Sequence, residues 1–174
     1  MNYFDFYGIP VSFQVDEATL RRIFYRNSKQ YHPDFHTLSG EEQQADMLEM
    51  ATLNNDAYQT LSDPDKRIRY ILTIKGLLED ESKLSVPQEF LLDMMEINEA
   101  LMELEFEPDP ERRESVEFAV DSLEKSLDEN IRPILDSYSD QTGTAEDLQA
   151  VLEYFLKKRY LLRVRENLSK FAPR

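Results

Sequence analysis

The sequence predicts an all-α protein built as two small helical domains, and three observations carry that reading. Apolar residues recur at spacings of three, four and seven along most of the chain, and the alternation of a half-buried strand appears nowhere. Helix starts are well marked, with Asn2, Asp16, Asp63, Asp109 and Thr144 at cap positions and Pro64, Pro87 and Pro110 at first helical positions. Finally, 174 residues with 41% hydrophobic content can furnish cores for one or two small domains, without internal repeats or low-complexity tracts.

Taken in order, Asn2 caps a single turn of aromatics, Tyr3, Phe4, Phe6 and Tyr7, which Gly8 and Pro10 close. Asp16 caps a second helix that runs to about Tyr31. Its apolar residues Leu20, Ile23, Phe24 and Tyr31 share one face, while Arg21, Arg22, Arg26 and Lys29 lie mostly off it. This helix buries one side and offers a positive one. Pro33 disfavours helical geometry at His32 and has no backbone donor, so the helix ends at or just before the histidine. His32 and Asp34 are thereby held at a loop tip. A third helix is expected over 41–61, with Met47, Met50, Ala57, Tyr58 and Leu61 on helical spacing, and it packs antiparallel to the second. Asp63 caps a fourth from Pro64 to near Gly76, and the polar stretch 79–83 reads as a linker. The expected organisation is a domain over 1–76, a linker over 77–86 and a second domain over 87–174.

The second domain reads as a three-helix bundle over 87–105, 110–138 and 145–171. Val116, Val120, Leu123, Leu127, Ile131, Ile134 and Tyr138 form a seam at alternating steps of four and three. Pro133 lies inside that helix and is expected to kink it or end it early. Thr144 with Asp147 resembles a capping box. The first bundle helix carries more apolar residues than one face can bury. At about 100° per residue, Phe90, Met94, Ile97, Leu101 and Leu104 make a core stripe, which leaves Leu91, Leu92, Met95 and Met102 on the flank among Glu96, Glu99 and Glu103. A contiguous apolar strip in an acidic rim is expected to bind a partner, the alternative being packing on the first domain.

Composition excludes several classes. The net charge of −15 argues against general nucleic-acid binding, which needs a basic surface. Between Leu77 and Glu129 there are 18 acidic residues against 4 basic ones, whereas Lys157 to Arg174 holds seven basic residues opposed only by Glu166. No apolar run is long enough to span a bilayer, and the amino terminus lacks a secretory pattern, so a soluble cytoplasmic protein is expected. With no cysteine there is no thiolate zinc site, no cysteine nucleophile and no cluster held by the chain's own thiolates.

The tripeptide His32-Pro33-Asp34 after a basic helix, followed by Asn55-Asp56-Ala57-Tyr58-Gln59-Thr60-Leu61 and then by Pro64, Arg67 and Tyr70-Ile71-Leu72, resembles the J-domain. Two departures stand out: Phe35 occupies a place where many members carry lysine, and Asn54 one where the family has an aliphatic core residue. Beyond the linker, the run from Phe90 to Leu101 (FLLDMMEINEAL) is similar to the HscB family, which extends the resemblance over nearly the whole chain.

The resemblance implies an adaptor rather than an enzyme: a J-domain co-chaperone of iron-sulfur cluster biogenesis with no cofactor of its own. His32, Pro33 and Asp34, with Arg21, Arg22, Arg26 and Lys29, would engage a DnaK/HscA-type chaperone and stimulate its ATPase. Leu91, Leu92, Met95, Glu96, Glu99 and Glu103, with Tyr160 on the last helix, would bind the scaffold protein on which clusters are built. Two other readings are weighed: a J-domain adaptor for a different client, and a metal-dependent enzyme using His32, Asp34 and His36. The second rests on a His-x-Asp-x-His spacing alone, with no further histidine in the chain to complete a ligand set. His36 is more simply read as a solvated loop residue.

Overall fold

Every regular element among the described residues, 1–172 of this computed structural model, is helical. They fall into two units, one comprising Met1–Gly76 with the segment Tyr138–Gly143, the other Leu77–Ser137 with the chain from Thr144 onward.

In the first unit, α1 (Tyr3–Tyr7) starts at Asn2, whose side chain accepts the Asp5 N–H while the Asp5 carboxylate accepts the Asn2 N–H. Gly8 ends it at φ 67°, a left-handed conformation that suits a residue without Cβ. α2 (Glu17–Tyr31) is capped by Asp16, and α3 (Glu41–Leu61) packs along it. Leu20 and Ile23 of α2 are buried with Ala57 and Leu61 of α3, and the Phe24 and Tyr58 rings stack at 4.4 Å. α4 (Pro64–Ile74) begins at Asp63, whose carboxylate accepts the Asp65 and Lys66 N–H groups. Its Arg67 is buried, with Nε donating to the Phe13 carbonyl at 3.0 Å and Nη1 to the Leu61 carbonyl. That side chain pins α4 to the end of α3 and to the 9–16 connection.

Asn54 is buried, and each side of its amide has a partner. Nδ2 donates to the Phe24 carbonyl (3.1 Å) and to Ser28 Oγ (3.2 Å), and Oδ1 accepts the Tyr7 hydroxyl (3.0 Å). Tyr138 is placed differently from expectation. It is not the last residue of a bundle seam; helix α7 stops at Ser137, and the Tyr138 ring lies edge-on to Phe13 at 5.2 Å within the first unit. Gly143 permits this, because a Cβ there would stand 2.2 Å from the tyrosine ring. Lys75 and Asp140 form an ion pair at 2.6 Å nearby.

In the second unit the helix expected over 87–105 is divided into α5 (Gln88–Asp93) and α6 (Met95–Phe106). The junction is Met94, fully buried, with its N–H on the Phe90 carbonyl and its own carbonyl accepting from Asn98. The ladder is interrupted there, since Met94 and Asn98 keep their bonds across the junction while Met95, Glu96 and Ile97 begin a new helix, and Phe90 and Met94 join one core. α7 (Pro110–Ser137) continues four residues beyond Pro133, which was expected to kink it or end it early, and α8 (Ala145–Ser169) opens with the Thr144–Asp147 capping box. Phe90, Met94, Ile97, Leu101 and Leu104 pack against Val116 and Val120 of α7 and Leu161, Val164 and Leu168 of α8. Above that core α7 and α8 are joined by charge: Lys158 pairs with Glu124 (2.7 Å) and Asp128 (3.1 Å), and Arg165 with Asp121 (2.7 Å) and Glu124 (2.6 Å). The polar stretch expected as a linker forms a 3-10 turn, Glu81–Lys83, tied to α8 by Arg159 and Glu81 at 3.0 Å.

Candidate functional site

Two sites emerge, one in each unit. The first is the end of α2. His32 leaves the helix in an extended conformation (φ −64°, ψ 131°), as the following proline requires, and Pro33–Phe35 form a 3-10 turn. His32 Nδ1 accepts the Asp34 N–H at 3.2 Å, and the Asp34 carboxylate stands 3.6 Å from it and is directed into solvent. The Phe35 ring sits edge-on to the imidazole at 6.0 Å. His36 lies in the loop, as the sequence suggested, but half-buried rather than freely solvated, and Nε2 donates to the Gln30 carbonyl at 2.8 Å. That bond folds the loop back on α2. Among the described residues no group of three or more His, Asp or Glu is gathered as a metal would require. Behind the tip, Arg22, Arg26 and Lys29 follow one another at steps of four and three, all exposed, beside Arg21, which pairs with Glu17.

The second site is the outer face of α5 and α6. Leu92, Met95 and Met102 are 60%, 53% and 63% exposed, and Leu91 lies beside them at 41%. Phe106, the last residue of α6, is 86% exposed and falls one turn beyond Met102 on the same side. Around α6 the order is Met102, Met95 and Phe106, then Glu99, Glu103 and Glu96, so the apolar ridge has a carboxylate edge. Glu103 is held by Arg112, which also reaches Asp109. The other edge is Asn98, whose amide donates to the Tyr160 hydroxyl at 2.8 Å, while the Tyr160 ring lies edge-on to Phe90 at 5.5 Å.

Residues 2–70 match the DnaJ domain and residues 86–169 the HSCB C-terminal oligomerisation domain, so the two together account for nearly all of the chain. The chain belongs to the HscB family. HscB relatives named as co-chaperones include that of Vibrio cholerae, 35% identical over 112 residues, a match covering 64% of this chain and 66% of that protein. Another, of Aeromonas hydrophila, is 27% identical over 172 residues, 98% of this chain and 96% of the relative. The crystal structure of human HscB aligns at a TM-score of 0.69 with 26% identity, over 98% of this chain and 81% of that one; Vibrio cholerae HscB, at 0.63 and 24%, shares the fold.

On this HscB fold His32, Pro33, Asp34, Arg21, Arg22, Arg26 and Lys29 lie along one helix and its tip, and Leu91, Leu92, Met95, Glu96, Glu99 and Glu103 along one ridge. Tyr160 differs from these: it is half-buried, packs against the bundle core and meets the ridge only at its edge, through Asn98. Phe106 was missed by sequence reasoning. A helix expected to stop at 105 left it in a loop, although its step of four from Met102 was there to be read.

Proposed function

We propose that this HscB-family protein is an adaptor that stimulates the ATPase of a DnaK/HscA-type chaperone through the His32-Pro33-Asp34 tip and delivers an iron-sulfur cluster scaffold protein to it on the α5–α6 ridge. The reading rests on one observation above all: a shaped, solvent-facing carboxylate at the end of a basic helix. The basic face of α2 approaches an acidic surface on the chaperone, which speeds encounter and sets orientation. Asp34 then pairs with a partner cation and favours the hydrolysis-competent state, while His32 and Pro33 hold its backbone in place. Neither step breaks or forms a covalent bond on this chain. Carrying both sites on one molecule raises the effective concentration of scaffold at the chaperone, to about the millimolar range for short connections.

Single-turnover ATP hydrolysis by the chaperone tests the reading. Asp34→Asn should abolish stimulation with an unchanged circular dichroism spectrum, since the carboxylate lies outside any core. Leu92→Ala with Met95→Ala should leave basal stimulation intact and remove the extra stimulation that scaffold adds. Undiminished stimulation by the Asp34 variant would overturn the proposal.

A further inference from the structure

We infer that the partner surface on the second unit does not end with the residues shared with the family pattern but continues along α6 to a second apolar anchor, Met102 and Phe106. This rests on the scaffold-binding reading of the ridge and extends it. From Met95 to Phe106 the ridge runs about 16 Å along α6 at 1.5 Å per residue, the reach of a whole secondary-structure element rather than of a single inserted side chain. Met102 and Phe106 are the two most exposed apolar residues on it, at 63% and 86%. Neither packs in the bundle core, which is filled from the opposite face by Ile97, Leu101 and Leu104. A thioether and a phenyl ring one turn apart make an adaptable apolar patch with a fixed aromatic at its end.

Charge decides what covers it. The patch lies between Glu99 and Glu103 on one side and Glu105 on the other, all exposed, and among the described residues an ion pair holds Glu103 alone of the three. A second copy docked ridge to ridge would set these carboxylates against their own counterparts. The occupant is therefore a different protein, with an apolar strip flanked by lysine or arginine, and continuity with the Leu92–Met95 anchor makes it the same scaffold protein.

Calorimetric titration of the full chain with the purified iron-sulfur scaffold protein tests this. Met102→Ala with Phe106→Ala should weaken binding about 5- to 30-fold, with the melting temperature unchanged, and Glu99→Gln with Glu105→Gln should flatten the salt dependence of the affinity. If Leu92→Ala with Met95→Ala weakens binding and the Met102 and Phe106 pair does not, the second anchor is wrong and the scaffold reading stands. If neither pair matters, both fall. A large loss of thermal stability in the Met102 and Phe106 variant would identify the patch as packing surface and overturn the inference. So would light scattering that shows a dimer dissociated by Phe106→Glu, because the occupant would then be a second copy.

Discussion

Asn54 carries most of the polar cross-bracing of the first unit. One amide joins the backbone of α2, the side chain of Ser28 and the hydroxyl of α1's Tyr7, a phenol whose pKa burial pushes well above its ordinary value. Asn54→Leu keeps the volume and strands those groups, so it should destabilise the protein by about 1–3 kcal/mol, read as a lower melting temperature with unchanged scaffold affinity. The sequence showed that an amide stood in a core position. It could not show its partners, which lie 26 to 47 residues away in the chain and meet it only through packing. His36 is a similar case, since a hydrogen bond six residues back depends on how the turn at Pro33 closes.

At the level of elements, most helices were legible because caps, prolines and period agree over long runs. The exceptions are places where packing overrides local pattern. Met94 interrupts a helix because its side chain reaches the core from a bend, and Tyr138 leaves the end of α7 for the Phe13 ring. The carboxy-terminal basic run shows the same limit. Lys158, Arg159 and Arg165 are paired with Glu124, Asp128, Asp121 and Glu81, so much of what reads as a positive tail is neutralised within the bundle. The hydrogen bond from Lys158, with a further one from Arg165, outweighs burial and holds Glu124 below the ordinary carboxylate range. Because the folded pKa is the lower one, the stability this contributes is complete above the unfolded value near 4 and is lost as pH falls through the lowered value. Lys158→Ala should therefore melt earlier than the parent at pH 7, and the gap should close on acidification. On α2, Arg22→Ala with Arg26→Ala should slow association with the chaperone several-fold at low salt and leave little salt dependence, measured by stopped flow.

For the molecule as a whole, the first unit has 8 basic and 12 acidic residues and the second 12 basic and 23 acidic, so the charge is unevenly shared. The sequence expectation set a boundary at the polar stretch 79–83, which here lies within the second unit, and nothing in a loop of Ser, Asp, Gln and Thr announces that the 138–143 segment groups with the first. Tyr138→Ala should cost that unit about 3 kcal/mol through the cavity over Phe13, and a fragment of residues 1–76 should melt below the same unit in the full chain. The two exposed faces, a cationic helix in one unit and a carboxylate-edged ridge in the other, have a common dependence on the ions around them. Under the proposed function each partner would be drawn by opposite charge, so added salt would weaken both contacts together. The logarithmic salt slope for assembling chaperone, adaptor and scaffold is then the sum of the two separate slopes, and ionic strength alone can disperse a ternary assembly under conditions in which either pair still holds.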